Sequence, residues 1–185
     1  MRIAIFGGSF NPIHYGHVGL AKWVAEHTDV DEVWLMVTPN SPLKPAGLLD
    51  NEQRRLEAAQ KAVENIPNVK VSDFEFNLPR PSYTANTLKE LKKAYPEHTF
   101  VLLIGQDNWS IRTRWREWGY IERHFRILVY PRGTQSVEMR NEIKMHKSVK
   151  LLDNAPLFDI SSTQLREQKA ASYNPLDPFA QRGIY

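Results

Sequence analysis

Apolar residues fall in short unbroken runs along this chain, and between the runs they recur every three or four positions. Residues 2–6 (RIAIF), 32–37 (EVWLMV), 100–104 (FVLLI, ending at Gly105) and 125–130 (FRILVY) are runs of the first kind. Runs without polar alternation predict strands covered on both faces. Tyr15 to about His27 reads as a helix, and so does Thr84–Tyr95, with Leu88, Leu91 and Tyr95 at helical spacing. Leu56, Ala59, Ala62, Val63 and Ile66 repeat with the same period, behind Asp50 as a cap and Gln53 three residues on. Residues 69–76 (VKVSDFEF) alternate apolar and polar, which predicts a strand with one exposed face. A polar helical insertion over 136–147 follows, then short strands near 149–152 and 157–160, then a helix from about Ser162. Residues 38–50 (TPNSPLKPAGLLD) and 77–83 (NLPRPSY) read as loops.

Helix and strand patterns alternate through the whole length, with no internal repeat, low-complexity tract or linker. This predicts one α/β domain, residues 1–185, built on a doubly wound parallel sheet with helices on both faces. The 185 residues are 42% hydrophobic and 24% charged, which is enough for a real core. No apolar stretch reaches the roughly 18 residues of a membrane span, and the first residues enter a strand pattern rather than a basic, then apolar, leader. There is no cysteine, which excludes disulfides and thiolate zinc sites and fits a cytoplasmic protein. A net charge of +3 is too small an excess to point to nucleic acid. The densest basic cluster, Arg112, Arg114, Arg116, Arg123 and Arg126, suits either a solvated face or an anionic small ligand.

The chemistry concentrates where the first strand ends, in "GGSFNPIHYGH" over residues 7–17. Ligands of open parallel sheets sit beyond the carboxyl ends of the strands. Gly7 and Gly8 let backbone approach a bulky anion, and the following helix aims free N–H groups and its positive end at the same place. His14 and His17, three apart at the helix start, share one face and can donate to phosphate oxygens. Gly16 between them leaves room at the helix turn for a nucleotide. HxxH also reads as half a metal site, but no third ligand accompanies it.

His14-Tyr15-Gly16-His17 resembles the HxGH signature of a nucleotidyltransferase superfamily, and "ISSTQLR" at 160–166 is similar to that superfamily's ISSTxxR signature. "SPLK" at 41–44, "RPSYTANTL" at 80–88, "IGQDNW" at 104–109 and "RW" at 114–115 resemble the bacterial nicotinate-nucleotide adenylyltransferases within it. The likeness runs from about residue 1 to 166. It implies a Rossmann-like fold and adenylyl transfer from ATP to nicotinate mononucleotide, giving deamido-NAD and pyrophosphate, with Mg²⁺ carried on the ATP. It implies ATP phosphate contacts from His14, His17, Ser161, Ser162, Thr163 and Arg166, and from the strand-end residues Gly8, Ser9 and Phe10. Gly105 and Asp107 would meet ribose or adenine. Lys44, Tyr83, Thr84, Ala85 and Trp115 would hold the mononucleotide, with Trp115 stacked on the pyridine. His14, His17 and Arg166 would carry the catalysis. Neither nucleic acid nor membrane is an expected partner, and a homo-oligomer is left open. The alternatives are adenylyl transfer to phosphopantetheine or nicotinamide mononucleotide, or a non-catalytic nucleotide-binding module. In one departure from the family pattern, Arg116 stands where an aromatic residue commonly follows the tryptophan. In another, the terminal "YNPLDPFAQRGIY" is short and proline-rich.

Overall fold

The structure is a computed structural model that describes residues 1–39, 51–132, 137–158 and 160–172. Six parallel strands form one sheet in the order β3-β2-β1-β4-β5-β6. They are β1 (Arg2–Gly8), β2 (Glu32–Val37), β3 (Val69–Ser72), β4 (Thr99–Gly105), β5 (Arg126–Tyr130) and β6 (Val149–Leu151). Helices α1 (Tyr15–His27), α2 (Glu52–Val63), α3 (Thr84–Ala94), α4 (Gln106–Ser110), α5 (Trp118–His124), α6 (Val137–Met145) and α7 (Ser162–Ser172) connect or follow them. This is the single-domain Rossmann-like architecture. Strand order reverses at β1, where β2 pairs on one side and β4 on the other.

Successive residues of a strand point to opposite faces, and the core divides accordingly. Ala4, Phe6, Val101, Leu103 and Leu128 join Leu20, Val24, Leu56 and Ala59 on the α1–α2 face. Ile3, Ile5, Leu102, Ile104 and Ile127 join Leu88, Leu91, Ile121 and Ile143 on the α3–α5–α6 face. Both faces are covered, so these strands carry no polar alternation. Each buried aliphatic side chain contributes about 1.5–3 kcal/mol.

Five local features differ from the sequence-based expectation. Residues 74–77 form a 3₁₀ turn, and the strand stops at Ser72. Residues 157, 158 and 160 form no strand. The cap of α2 is Asn51, whose side chain accepts from the Gln53 N–H at 2.8 Å, and Asp50 lies outside the described residues. The short helices α4 and α5 had no counterpart in the sequence pattern. β1 also runs two residues further than its apolar run, through Gly7 and Gly8.

Candidate active site

Two recesses flank the carboxyl end of β1, one on each face of the sheet. The larger is a cavity of about 460 Å³ on the α3 face, where strand order reverses. Its floor is Ile5, Leu102 and Ile104, its rim includes Gly7, Gly8 and Ser9, and its walls are α3 and the segment Asn108–Arg116. The smaller, about 20 Å³, lies on the α1 face against His14, His17, Tyr130 and Arg132.

His14 is the cap residue of α1, in extended backbone at φ −147°. Its N–H donates to His17 Nδ1 at 3.3 Å, and the two rings stack with centroids 3.7 Å apart. The i, i+3 spacing therefore does put both imidazoles on one face. His14 is buried, and both its ring nitrogens lack a hydrogen-bond partner. Burial, and then the positive charge of Arg132, lower its pKa from 6.5 to about 4. His14 is thus neutral at pH 7. Because His17 Nδ1 accepts a backbone N–H, its neutral ring carries the proton on Nε2.

The loop before α1 is held from two directions. Arg55, buried on α2, donates to the carbonyls of Ser9, of Thr38 at 2.9 Å and of Pro39 at 3.2 Å. From the far end of the chain, Ser162 Oγ donates to the Pro12 carbonyl at 2.9 Å, and Arg166 Nη1 donates to the Asn11 carbonyl. Ser161 caps α7 by accepting the Gln164 N–H at 3.2 Å. Arg166 Nη2 also donates to Thr163 Oγ1 at 3.1 Å. The two signatures, some 150 residues apart in sequence, meet in space. Phe10 sits at φ 45°, a region few residues other than glycine adopt. Its side chain is buried edge-on to Phe6 and His17.

The expected role of Gly16 needs correction. A Cβ there would lie 2.8 Å from Ile160 Cγ2 and 3.1 Å from Phe158 Cβ, so the room at this glycine is taken by the chain's own Phe158 and Ile160. At Gly7 a Cβ would meet nothing within 4 Å among the described residues, so none of them requires glycine there. Gly105 ends β4, where a Cβ would collide with Asp107 and crowd Tyr130. Asp107 is exposed and pairs with Arg132 at 3.6 Å.

Tyr83, Thr84 and Trp115 line the large cavity. Thr84 opens α3, so its N–H and those of the next residues have no partner within the helix. Ala85 is fully buried in the second core and does not line the cavity. Trp115 stands edge-on to Trp118 at 5.9 Å. Lys44 lies outside the described residues.

Sequence reasoning missed Arg132, Arg55 and Glu75. Arg132 follows directly on β5, at the sheet edge where ligands sit. Arg55 lies four residues before core residue Ala59, on the buried side of α2. Glu75 is buried in the wall of the large cavity and accepts from Thr87 Oγ1 at 2.7 Å, and burial pushes its carboxyl pKa up. Among the described residues, no group of three His, Cys, Asp or Glu side chains gathers to hold a metal. Among the described residues, Arg132 is the charged group whose field acts on His14.

Residues 5–168 match the sequence pattern of the family described as cytidylyltransferase-like. Proteins named "Probable nicotinate-nucleotide adenylyltransferase" share this pattern. The one from Bacteroides fragilis is 48% identical over 169 residues, covering 91% of this chain and 82% of its own. The one from Flavobacterium johnsoniae is 41% identical over 180 residues, covering 96% and 92%. The chain belongs to the cytidylyltransferase-like family, in its nicotinate-nucleotide adenylyltransferase branch. The fold agrees. Plasmodium falciparum nicotinic acid mononucleotide adenylyltransferase, solved with NaAD, superposes with a TM-score of 0.79 at 21% identity, covering 94% of this chain and 86% of that one. A second structure of that enzyme, with APC, gives 0.74, also at 21% identity, over 90% of this chain and 82% of its own. No described helix is long and apolar enough to cross a membrane.

Proposed function

We propose that this adenylyltransferase joins nicotinate mononucleotide to the adenylyl group of ATP, releasing pyrophosphate and forming deamido-NAD for NAD synthesis in the cytoplasm. One observation carries the reading. The stacked histidine pair and the α7 N-terminus meet at the Asn11–Pro12 carbonyls on one side of β1, and a mononucleotide-sized cavity opens on the other.

A phosphate oxygen of the mononucleotide attacks the α-phosphorus of ATP, and the bond to the pyrophosphate oxygen opposite it breaks. The nucleophile is already an anion, so no general base is needed. The work is to bring two anions together and to stabilise charge on the transferring phosphoryl group and the leaving pyrophosphate. His17 Nε2–H donates to an α-phosphate oxygen, and neutral His14 donates beside it. Positive charge comes from Arg132 and Arg166 and from the N-terminus of α7. There Ser161 and Thr163 offer hydroxyls to the β- and γ-phosphates, and Ser162, whose hydroxyl is bonded to the Pro12 carbonyl, offers its backbone N–H. The hollow beside the histidines is about water-sized, so the triphosphate lies across its mouth. Gly105 and Asp107 meet the adenosine.

Gly8 and Ser9 separate the two substrates and offer backbone to the reacting phosphates. Nicotinate docks against Tyr83 and the first N–H groups of α3 at Thr84 and Ala85, and its ring stacks on Trp115. Lys44 reaches the mononucleotide phosphate. Mg²⁺ would be carried on the ATP phosphates, where it would screen their charge while keeping several waters.

A pyrophosphate-release assay with ATP, Mg²⁺ and, in turn, nicotinate mononucleotide, nicotinamide mononucleotide and phosphopantetheine tests this reading. The nicotinate substrate should give the highest kcat/KM; release with phosphopantetheine alone overturns it. His17→Ala should lower kcat about 10²–10³-fold with an unchanged circular dichroism spectrum. Full turnover in that variant removes His17 from the mechanism.

A further inference from the structure

Two guanidinium groups at the large cavity have no part in the adenylyl-transfer chemistry. Arg114 and Arg116 both line it, flanking Trp115, and both are exposed. Neither forms a salt bridge among the described residues. Glu117, the acid next in sequence, is bonded to Lys89 Nζ. The Arg116 guanidinium carbon lies 5.0 Å from the centre of the Tyr83 ring, so a cation–π contact spans the cavity between the tryptophan wall and the start of α3. That contact holds the charge beside Thr84, whose helix-terminal N–H groups also favour an anion.

Besides the Tyr83 phenol, the lining among the described residues includes one acidic side chain, Glu75. It is buried, bonded to Thr87, and held toward its uncharged form by its surroundings. Arg114 and Arg116 are the exposed charged groups among the described residues of its lining, and the Glu117 carboxylate beside Arg116 is drawn first to Lys89. The substituted end of a pyridine mononucleotide carries either a carboxylate or a carboxamide. The two are close in size and shape and differ by one negative charge, and a cation at this position separates them.

We propose that Arg116, braced on the Tyr83 ring, is a specificity-determining residue that selects the carboxylate-bearing mononucleotide over its carboxamide analogue by charge. The inference rests on the adenylyl-transfer reading above and assigns the discrimination to a side chain outside the family's sequence signatures. Arg114, on the other side of Trp115, adds to the same field. Charge reading is sensitive to ionic strength at an exposed position, whereas a backbone hydrogen-bond cradle is not.

Steady-state kinetics with both mononucleotides on wild type, Arg116→Gln and Arg116→Lys test it, each at about 50 and about 300 mM salt. Arg116→Gln should lower the carboxylate-to-carboxamide ratio of kcat/KM about ten-fold, equivalent to about 1.4 kcal/mol, through a raised KM for the carboxylate substrate. Arg116→Lys should retain most of the ratio. Added salt should compress the wild-type ratio more than that of Arg116→Gln. A ratio within about two-fold of wild type in Arg116→Gln, or an equal loss in Arg116→Lys, overturns the proposal while leaving adenylyl transfer intact. No turnover of either mononucleotide by wild type removes the activity and this inference together.

Discussion

Acid should weaken this protein through one imidazole in particular. His14 is buried, both its ring nitrogens are unpartnered, and Arg132 is nearby; its pKa falls from 6.5 to about 4. Above pH 6.5 the ring is neutral whether the chain is folded or not, and it costs nothing. Between pH 6.5 and about 4 the unfolded chain takes up a proton that the folded one refuses, so stability falls with pH. At 1.36 kcal/mol per pH unit, the loss is about 2–3 kcal/mol by pH 4. His14→Gln has no such proton to refuse. The difference in unfolding free energy between wild type and His14→Gln, from urea titrations, should therefore shift by about 2–3 kcal/mol between pH 7 and pH 4. Carboxylates common to both proteins cancel in that difference. NMR of the ring Cε1–H groups reads the same pKa directly. Arg132→Gln should raise it, though not to 6.5, because burial is the larger cause. A His14 that titrates at 6.5 or above, or parallel stability curves for the two proteins, would refute the reasoning.

Three further outcomes follow from the geometry. Gly16→Ala places a Cβ 2.8 Å from Ile160, which should cost about 1–3 kcal/mol in denaturant unfolding and raise the KM for ATP as the α7 approach is pushed back. Gly7→Ala meets no atom of the described residues within 4 Å; its unfolding midpoint should match wild type, while kcat/KM should fall because Gly7 lines the large cavity proposed for the mononucleotide. Glu75→Ala leaves the buried Thr87 hydroxyl without its carboxyl acceptor and should cost about 1–3 kcal/mol in the same unfolding assay, most of it recovered in Glu75→Gln.

The sheet was legible because strands covered on both faces cannot hide their composition: residues 2–6, 100–104 and 125–130 are apolar in nearly every position. The failures have physical causes. In residues 73–76 the alternation was real, but Glu75 was counted as a solvent position and is in fact buried on Thr87. Phe158 is apolar because it packs over Gly16 and Gly19 on α1, and it joins no strand. Helices α4 and α5, of five and seven residues, are too short to display a period. At the site, the histidine pair and the α7 N-terminus were visible because local spacing sets their geometry. Arg55, Glu75 and Arg132 act across the fold on groups far away in sequence, and no local pattern marks such contacts.

The contact between Ser162 and Pro12 closes a separation of 150 residues. During synthesis at about 5–20 residues per second, the histidine loop emerges roughly ten seconds or more before the helix that completes it. A nascent chain with all six strands already translated still leaves the Asn11 and Pro12 carbonyls without the Arg166 and Ser162 groups that close on them, so the loop ahead of the histidines gains its second brace only when α7 arrives.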